Sequence, residues 1–218
     1  MYTETLTLAN GVKIPQLGLG TWFIDDANAA EAVKAAAKLG YRHFDTAQAY
    51  GNERGVGEGV RSCGVAREEL FVVSKVAAEH KTYEAAKASI DATLQKMGLD
   101  YLDMMIIHSP QPWDKVNQCE DRYVEGNRAA WRALEEAYKE GKLRAIGVSN
   151  FQIGDLNSLL EGCSVKPMVN QILLHISNTP LELVEFCQNN GIAVEAYSPI
   201  AHGEILHQPE IQAMAEKY

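Results

Sequence analysis

Four side chains of the types that move protons lie at or just after the ends of short apolar segments. Asp45 ends one segment and Tyr50 follows it, Lys75 lies near the end of the next, and His108 ends the one after that. An ammonium beside a phenol favours the ionised phenol and lowers its pKa, and a carboxylate can hold the ammonium in place. These residues therefore predict a general acid, Tyr50, that protonates a carbonyl oxygen oriented by His108.

Each of these residues also has a structural interpretation. Lys75 can be an edge lysine that reaches solvent, His108 a hydrogen-bonded residue at a strand end, Asp45 a loop cap and Tyr50 a packing residue. A lysine buried in the apolar segment 72–76 needs a carboxylate partner, however, and Asp45 is the obvious candidate. Their joint placement at successive strand ends favours a catalytic group over four separate structural roles.

The surrounding segments alternate between short apolar strands and helices. Such alternation indicates parallel strands joined by helical crossovers, and an unbroken series of units favours a (β/α)8 TIM barrel over an open doubly wound sheet. In a barrel, the loops that follow the strands meet at one end and build the site. The strand candidates are Leu17–Thr21, Tyr41–Thr46, Leu70–Val76, Tyr101–His108, Leu143–Val148, Pro167–Ile172 and Ala193–Ser198.

Turn and cap residues indicate where further elements begin. Asn10 and Gly11 stand between two alternating segments, which predicts an N-terminal β-hairpin over residues 4–15 with a type I′ turn. Thr179 is a predicted helix cap, with Pro180 at the first helical position. We expect one domain over residues 1–218, an α/β barrel that lacks its eighth strand and C-terminal helices.

The composition of the sequence excludes several classes of protein. The 218 residues are 46% hydrophobic with a formal net charge of −9, which is typical of a globular protein with an acidic surface. Such a surface repels phosphate backbones, so nucleic acid is not an expected partner. No apolar run approaches the roughly 20 residues that cross a bilayer, and no secretory signal is visible. We expect a cytoplasmic protein without a metal, with free thiols at Cys63, Cys119, Cys163 and Cys187.

The segments around the four polar residues resemble the aldo-keto reductase family, in particular its bacterial NADPH-dependent members. The resemblance extends from about residue 4 to the last residue, and the segment from Asp45 to Tyr50 is its most specific part. The segments that carry it are Gly40–Glu53, Leu17–Trp22, the Val-Ser-Lys that ends at Lys75, Ile146–Phe151, Val169–Gln171 and Ala196–Pro199.

The resemblance implies a monomeric enzyme that reduces an aldehyde or ketone to an alcohol, with NADPH, or else NADH, as the cofactor. It implies a catalytic tetrad of Asp45, Tyr50, Lys75 and His108. The cofactor is expected to contact Gly20, Thr21, Asp45, Ser149, Asn150, Gln171, Tyr197, Ser198, Ile200 and Gly203. The substrate pocket is expected to contain Trp22, Gln48, His108 and Trp113.

Three features depart from the family pattern. The family usually has a glutamate after the position of Gln171 and before a His-Pro pair, whereas here Leu174-His175-Ile176 follows. The segment 201–203 is an altered pyrophosphate loop, and the sequence ends at Tyr218 before the expected eighth strand.

Three other functions are compatible with parts of the sequence. Gly18 and Gly20 followed by Asp45 imitate a Rossmann dehydrogenase, although the third glycine is missing. His43, Asp45, His108 and His175 are candidate ligands of a metal-dependent barrel hydrolase. A family member can also bind the cofactor without catalysis, as channel subunits and lens proteins do. Sugar ketones, methylglyoxal-like aldehydes and prostanoids all fit as substrates.

Overall fold

Strands and helices alternate along the chain in the computed structural model, which describes residues 4–116 and 118–218. The strands are β1 (Thr5–Thr7), β2 (Lys13–Pro15), β3 (Gly18–Gly20), β4 (His43–Asp45), β5 (Phe71–Val76), β6 (Met104–Ile107), β7 (Ile146–Ser149), β8 (Val169–Leu173) and β9 (Ala193–Tyr197). The α-helices are α1 (Asp26–Lys38), α2 (Glu53–Ser62), α3 (Tyr83–Met97), α4 (Val124–Lys139), α5 (Ile153–Leu160), α6 (Leu181–Asn189) and α7 (Pro209–Lys217).

Strands β3 to β9 form one parallel sheet in which each strand pairs with its neighbours in chain order. The sheet curves into a nearly closed barrel, so the predicted fold class is confirmed, together with the N-terminal hairpin. Strands β3 and β9 are its two edges, and no eighth strand joins them among the described residues. All six residues of β5 are buried, because one face fills the barrel and helices cover the other.

Helix α2 packs closely against α1 and α3 because glycines lie at its contact points. A Cβ at Gly55 would lie 2.2 Å from the Asp26 carbonyl oxygen, and one at Gly57 would lie 2.2 Å from the Met97 carbonyl oxygen. The backbones can therefore approach to a distance that no larger side chain permits. This packing fixes the start of α2, which begins three residues after Tyr50, the last residue of a short 3₁₀ turn.

The N-terminal hairpin is present, but the predicted type I′ turn is wrong. Gly11 has a φ of 86°, whereas Asn10 does not have a positive φ. The Gly11 N–H donates to the Leu8 carbonyl (2.8 Å), which makes a three-residue loop ending in a left-handed glycine. Asn10 is held instead by a long-range bond from its side-chain nitrogen to the Arg144 carbonyl (2.9 Å), just before β7. The hairpin therefore covers the end of the barrel where the strands begin.

The start of α6 also differs from the prediction. Pro180 occupies the cap position and the helix begins at Leu181, so Thr179 is not the cap. The Leu181 N–H donates to the Thr179 carbonyl (2.8 Å), and Pro180 has φ −75° and ψ 75°. These values describe an inverse γ-turn, which delays the helix by one residue.

Two further expectations concern membranes and thiols. In the described part of the chain, no helix has the length and apolar character needed to cross a membrane. Cys63, Cys119, Cys163 and Cys187 are free thiols, as the sequence predicts.

Candidate active site

The loops that follow the strands surround a cavity of about 650 Å³ at the end of the barrel where the strands finish. This is the end at which barrel enzymes place their sites. The sequence-predicted residues that line the cavity are Gly20, Trp22, Asp45, Tyr50, His108, Trp113, Ser149, Asn150, Gln171, Tyr197 and Ser198.

Lys75 lies beneath the cavity and joins the acid–base group together. Its side chain is 1% exposed, and its Nζ donates to the Asp45 carboxylate and to the Thr46 carbonyl (3.1 Å). The same Nζ lies 3.4 Å from the Tyr50 hydroxyl oxygen. Burial acts to lower the pKa of Lys75, but the negative charge of Asp45, with Tyr50 and other neighbours, outweighs burial and raises it. Lys75 is therefore a permanent ammonium beside the Tyr50 hydroxyl.

Tyr50 has a higher pKa than a free tyrosine, because the lowering by Lys75 that the sequence predicts is present but outweighed. Burial is the largest cause and raises the pKa, and the Asp45 charge acts in the same direction. Lys75 opposes both influences without overcoming them. The Tyr50 hydroxyl therefore carries its proton at neutral pH, as a general acid requires.

His108 faces the same cavity as a neutral ring. Burial, with the positive charge of Lys75, lowers the pKa of His108 to about 3. The ring lies edge-on to Tyr50 at 5.5 Å and to Trp113 at 4.9 Å between centroids. At neutral pH it can donate a hydrogen bond without carrying charge.

Hydroxyl and amide groups that hydrogen-bond to one another or to nearby backbone line part of the cavity. The Tyr197 hydroxyl donates to Asn150 Oδ1 (2.8 Å), and Asn150 Nδ2 donates to the His108 carbonyl (3.0 Å). The Ser149 hydroxyl donates to the Gln171 carbonyl (2.9 Å). Asn150 adopts a φ of 62°, a conformation that asparagine tolerates better than most residues. The strands β7, β8 and β9 thus present a continuous polar wall, which we call the amide wall.

Four predicted contact residues lie outside the cavity lining. Thr21 is fully buried, and both its N–H and its hydroxyl donate to the Asp45 carbonyl (2.9 Å each), so it holds β4 in place. Ile200 and Gly203 lie in the loop after β9, where the Gly203 N–H donates to the Ile200 carbonyl (2.8 Å).

Gln48 is the fourth, and its predicted place in the pocket wall is not observed. Its amide nitrogen donates to the Ser89 carbonyl (3.1 Å) and the Thr93 hydroxyl (3.0 Å), and its amide oxygen accepts from the Ala77 N–H (2.8 Å). These bonds turn the side chain toward α3 and away from the cavity.

Two polar residues shortly after Tyr50, Asn52 and Glu53, support the site, although no role was predicted for them from the sequence. Asn52 is fully buried and donates to the carbonyls of Thr21 (2.9 Å) and Ile24 (2.8 Å), which ties the loop after β3 to α2. Glu53 is also fully buried and accepts from the Ser74 hydroxyl (2.6 Å) on β5. Both belong to the segment that carries the resemblance. Two polar residues so close to a candidate acid could have been predicted from the sequence to support it.

Phe23 and His202 also line the cavity without having been predicted. Phe23 stacks on Trp22 at 4.1 Å, and the His202 ring lies edge-on to Trp22 at 5.4 Å. Local sequence gave no signal for this contact, because it joins the loop after β3 to the loop after β9.

The structure bears on two of the alternative functions. The strand order runs in sequence without a reversal, so the crevice of a Rossmann dehydrogenase is absent from the described sheet and that alternative is wrong. In the described ranges, no three His, Cys, Asp or Glu side chains are grouped to hold a metal ion. His175 lies in the turn after β8, where its Nδ1 accepts from the Ser177 N–H (3.2 Å).

A parallel barrel with a tyrosine, a buried Lys–Asp pair and a neutral histidine at the strand ends defines a class of enzyme that carries out acid–base chemistry in the mouth of a barrel. Within that class, the chain belongs to the aldo/keto reductase family, whose sequence profile matches residues 16–215.

Named relatives agree with this membership. A glyoxal reductase of Bacillus subtilis (strain 168) is 46% identical over 216 residues, which cover 99% of this chain and 74% of that protein. The crystal structure of an aldo/keto reductase from Brucella melitensis superimposes with a TM-score of 0.89 at 39% identity, covering 99% of this chain and 79% of the other. A Bombyx mori aldo-keto reductase in complex with NADP has a TM-score of 0.85 and 31% identity, covering 100% of this chain and 76% of the other.

Proposed function

We propose that this protein reduces an aldehyde or ketone to an alcohol, with NADPH as the preferred hydride donor and Tyr50 as the general acid. The observation that supports this most strongly is the contact of one buried ammonium, Lys75, with both Asp45 and Tyr50 at the floor of a cavity that His108 also lines. Family membership and the NADP complex of the Bombyx mori relative support the choice of cofactor.

The amide wall suits the carboxamide of a nicotinamide. Ser149, Asn150 and Gln171 offer a hydroxyl and two amides on one side of the cavity, next to the ring of Tyr197. In our proposal these residues hold the nicotinamide, and Gly20 and Thr21 lie near its ribose. Ser198, Ile200 and Gly203 would meet the pyrophosphate. When bound, the cofactor supplies a hydride to the carbonyl carbon.

The residues of the chain would handle the proton of this reaction. The carbonyl oxygen would accept a hydrogen bond from the neutral ring of His108 and the proton from the Tyr50 hydroxyl, which completes the alcohol. Lys75 lies 3.4 Å from the phenol oxygen and stabilises the negative charge that remains there until solvent returns a proton. Asp45 keeps the ammonium in position.

We further propose short α-dicarbonyl aldehydes as the first substrates to examine. The Bacillus subtilis relative carries the name of such a compound, glyoxal. The cavity of about 650 Å³ also admits larger carbonyls, and Trp22 and Trp113 give it aromatic walls, so sugar ketones and prostanoids belong in the same panel.

The decisive variant is Tyr50→Phe, which removes the proton and keeps the ring. We expect the kcat for carbonyl reduction to fall by about 100-fold or more, the usual contribution of a positioned acid. The NADPH dissociation constant, measured by fluorescence, should change little, because the hydroxyl is not part of the amide wall. Tyr138→Phe, on α4, is the matched control and should retain wild-type kcat.

Two results would contradict the proposal. One is a Tyr50→Phe variant that keeps a large share of wild-type turnover. The other is a wild-type protein that binds NADPH and reduces none of the panel, which would support a cofactor-binding protein without catalysis.

A further inference from the structure

A buried polar cluster lies behind the acid–base group, between the sheet and the helices α2 and α3. Its members are Gln48, Glu53, Ser74 and Thr93, and we call it the polar clamp. Glu53, Ser74 and Thr93 are at most 1% exposed. Ser74 precedes Lys75 on β5, and successive side chains of a strand point to opposite faces, so the clamp lies on the face turned away from the cavity.

The clamp holds the segment that contains Tyr50 on both sides. Gln48, two residues before Tyr50, accepts from the Ala77 N–H through its amide oxygen (2.8 Å). Glu53, three residues after Tyr50, accepts from the Ser74 hydroxyl (2.6 Å). The segment is therefore tied at both of its ends to β5 and to the residues that directly follow this strand.

The same two bonds flank Lys75. Ser74 precedes Lys75 directly, and Ala77 follows it by two residues. The segments of Tyr50 and Lys75 therefore cannot slide past each other without breaking one of these bonds. The 3.4 Å between Lys75 Nζ and the Tyr50 hydroxyl oxygen depends on this relative position.

Thr93 on α3 joins the two ends of the clamp. Its hydroxyl accepts from Gln48 Nε2 (3.0 Å) and donates to Glu53 Oε1 (2.9 Å). The direction of each bond is defined, because a carboxylate only accepts and Gln48 Nε2 also donates to the Ser89 carbonyl (3.1 Å). Lys96 Nζ donates to the other oxygen of Glu53 (2.9 Å). A buried network whose members are satisfied in this way favours one arrangement over others.

We propose that the polar clamp sets the distance between the Tyr50 hydroxyl and the Lys75 ammonium. Gln48, Glu53 and Thr93 do not line the cavity, so they are positioning residues. Their effect on turnover rests on the proposed function, whereas the clamp itself does not.

Thr93→Val tests the kinetic consequence, because valine has the shape of threonine without the hydroxyl. The Tyr50 hydroxyl is then held less firmly beside Lys75. We expect kcat to fall by about ten-fold, with KM and the NADPH dissociation constant within about two-fold of wild type, because misplaced acid–base groups slow the chemical step. Thr93→Ser keeps a hydroxyl and should recover most of the lost kcat.

The pH profile of kcat separates positioning from a general loss of stability. The titratable groups that face Tyr50 are Asp45, Lys75, His108 and Tyr197. Lys75 lowers the pKa of Tyr50, so a looser contact lets that pKa rise, and activity that needs the protonated phenol persists to higher pH. We therefore expect the alkaline limb of Thr93→Val to move to higher pH. Leu183→Ala, a destabilising change in α6, is the control and should not move the limb upward.

The clamp itself is tested without turnover by urea unfolding. Gln48→Met and Ser74→Ala remove opposite ends of the clamp. We expect the double variant to lose less stability than the sum of the single variants, by about five-fold in the unfolding equilibrium constant. The same cycle in a Thr93→Val background should be additive, because the link between the ends is gone.

Additive losses with Thr93 present, or coupling that persists without it, would overturn the clamp. If Thr93→Val does not fold, the first cycle decides alone, and Gln48→Met replaces Thr93→Val in the kinetic test under the same criteria.

The two proposals fail in different ways. An alkaline limb of Thr93→Val that stays in place or moves to lower pH would overturn the positioning role, even where Tyr50→Phe is inactive. A wild-type protein that reduces no carbonyl overturns the proposed function, and the unfolding cycles then still decide whether the clamp joins the two segments.

Discussion

Tyr50 and His108 show which properties of a residue can be predicted from sequence. Their meeting with Asp45 and Lys75 was predictable, because successive parallel strands end at the same side of a barrel and each residue lies at such an end. The direction of the Tyr50 pKa was not predictable. It depends on burial, and that burial results from loops brought together by the whole fold.

The neutral state of His108 leads to a prediction about acid stability. Its pKa is about 3 in the folded protein against a usual value of 6.5, so folding favours the uncharged ring. The stability linked to His108 is therefore present above pH 6.5 and is lost as the pH falls toward 3.

We expect the free energy of unfolding of His108→Gln to depend less steeply on pH across this window, as measured by urea unfolding at several pH values. His207→Gln, which alters an exposed histidine, should keep the wild-type slope. Equal slopes in all three proteins would show that His108 is not buried as a neutral ring.

Elements differed in how far their sequences specify them. The strands could be predicted, because a continuous apolar run between two helical segments is typical of a strand that is buried on both faces of a parallel sheet. The hairpin turn and the start of α6 could not be predicted in this way. In the hairpin, Asn10 bonds to the Arg144 carbonyl instead of forming the expected turn. At α6, a γ-turn at Pro180 replaces the expected cap.

The glycines of α2 give a prediction at this scale. Alanine is favoured over glycine in a helix by about 1 kcal/mol. At Gly57, however, the added Cβ would meet the Met97 backbone at 2.2 Å, and forced backbone shifts of this kind cost about 1–3 kcal/mol.

We expect Gly57→Ala to lower the free energy of unfolding, measured in urea, despite its better helix propensity. Gly154→Ala in α5 is the matched control, because a Cβ there would meet no described atom within 4 Å, and it should be neutral or stabilising. A stabilised Gly57→Ala would mean that α2 and α3 are not packed as closely as described.

At the scale of the molecule, the two edges of the sheet face each other across a groove. Strands β3 and β9 each end the sheet, and the groove between them has a volume of about 600 Å³. Its walls include Ile14, Leu17, Val169 and Val194, so apolar side chains and unpaired backbone groups lie together there.

The difference between the edge strands and the central strands predicts that local stability varies around the barrel. Amides of β6, which is buried and paired on both sides, should exchange with solvent most slowly. Those of β3 and β9 should exchange faster, because one edge of each has no partner strand within the ranges that the structure describes. Hydrogen exchange measured by mass spectrometry compares the three strands in one experiment. Protection of β3 and β9 equal to that of β6 would indicate that something covers both edges.

The order of strands in the sheet has a consequence for how such a site can be inherited. Asp45, Tyr50, Lys75 and His108 all come from the first half of the chain, while the amide wall comes from the second half, between residues 149 and 197. In the proposed function, the acid–base residues and the residues that hold the nicotinamide carboxamide therefore lie in separate stretches of the sequence, which the bond from Gln171 to Asp45 joins in space. A recombination event in the loop between β6 and α4 would exchange one half while leaving the residues of the other unchanged.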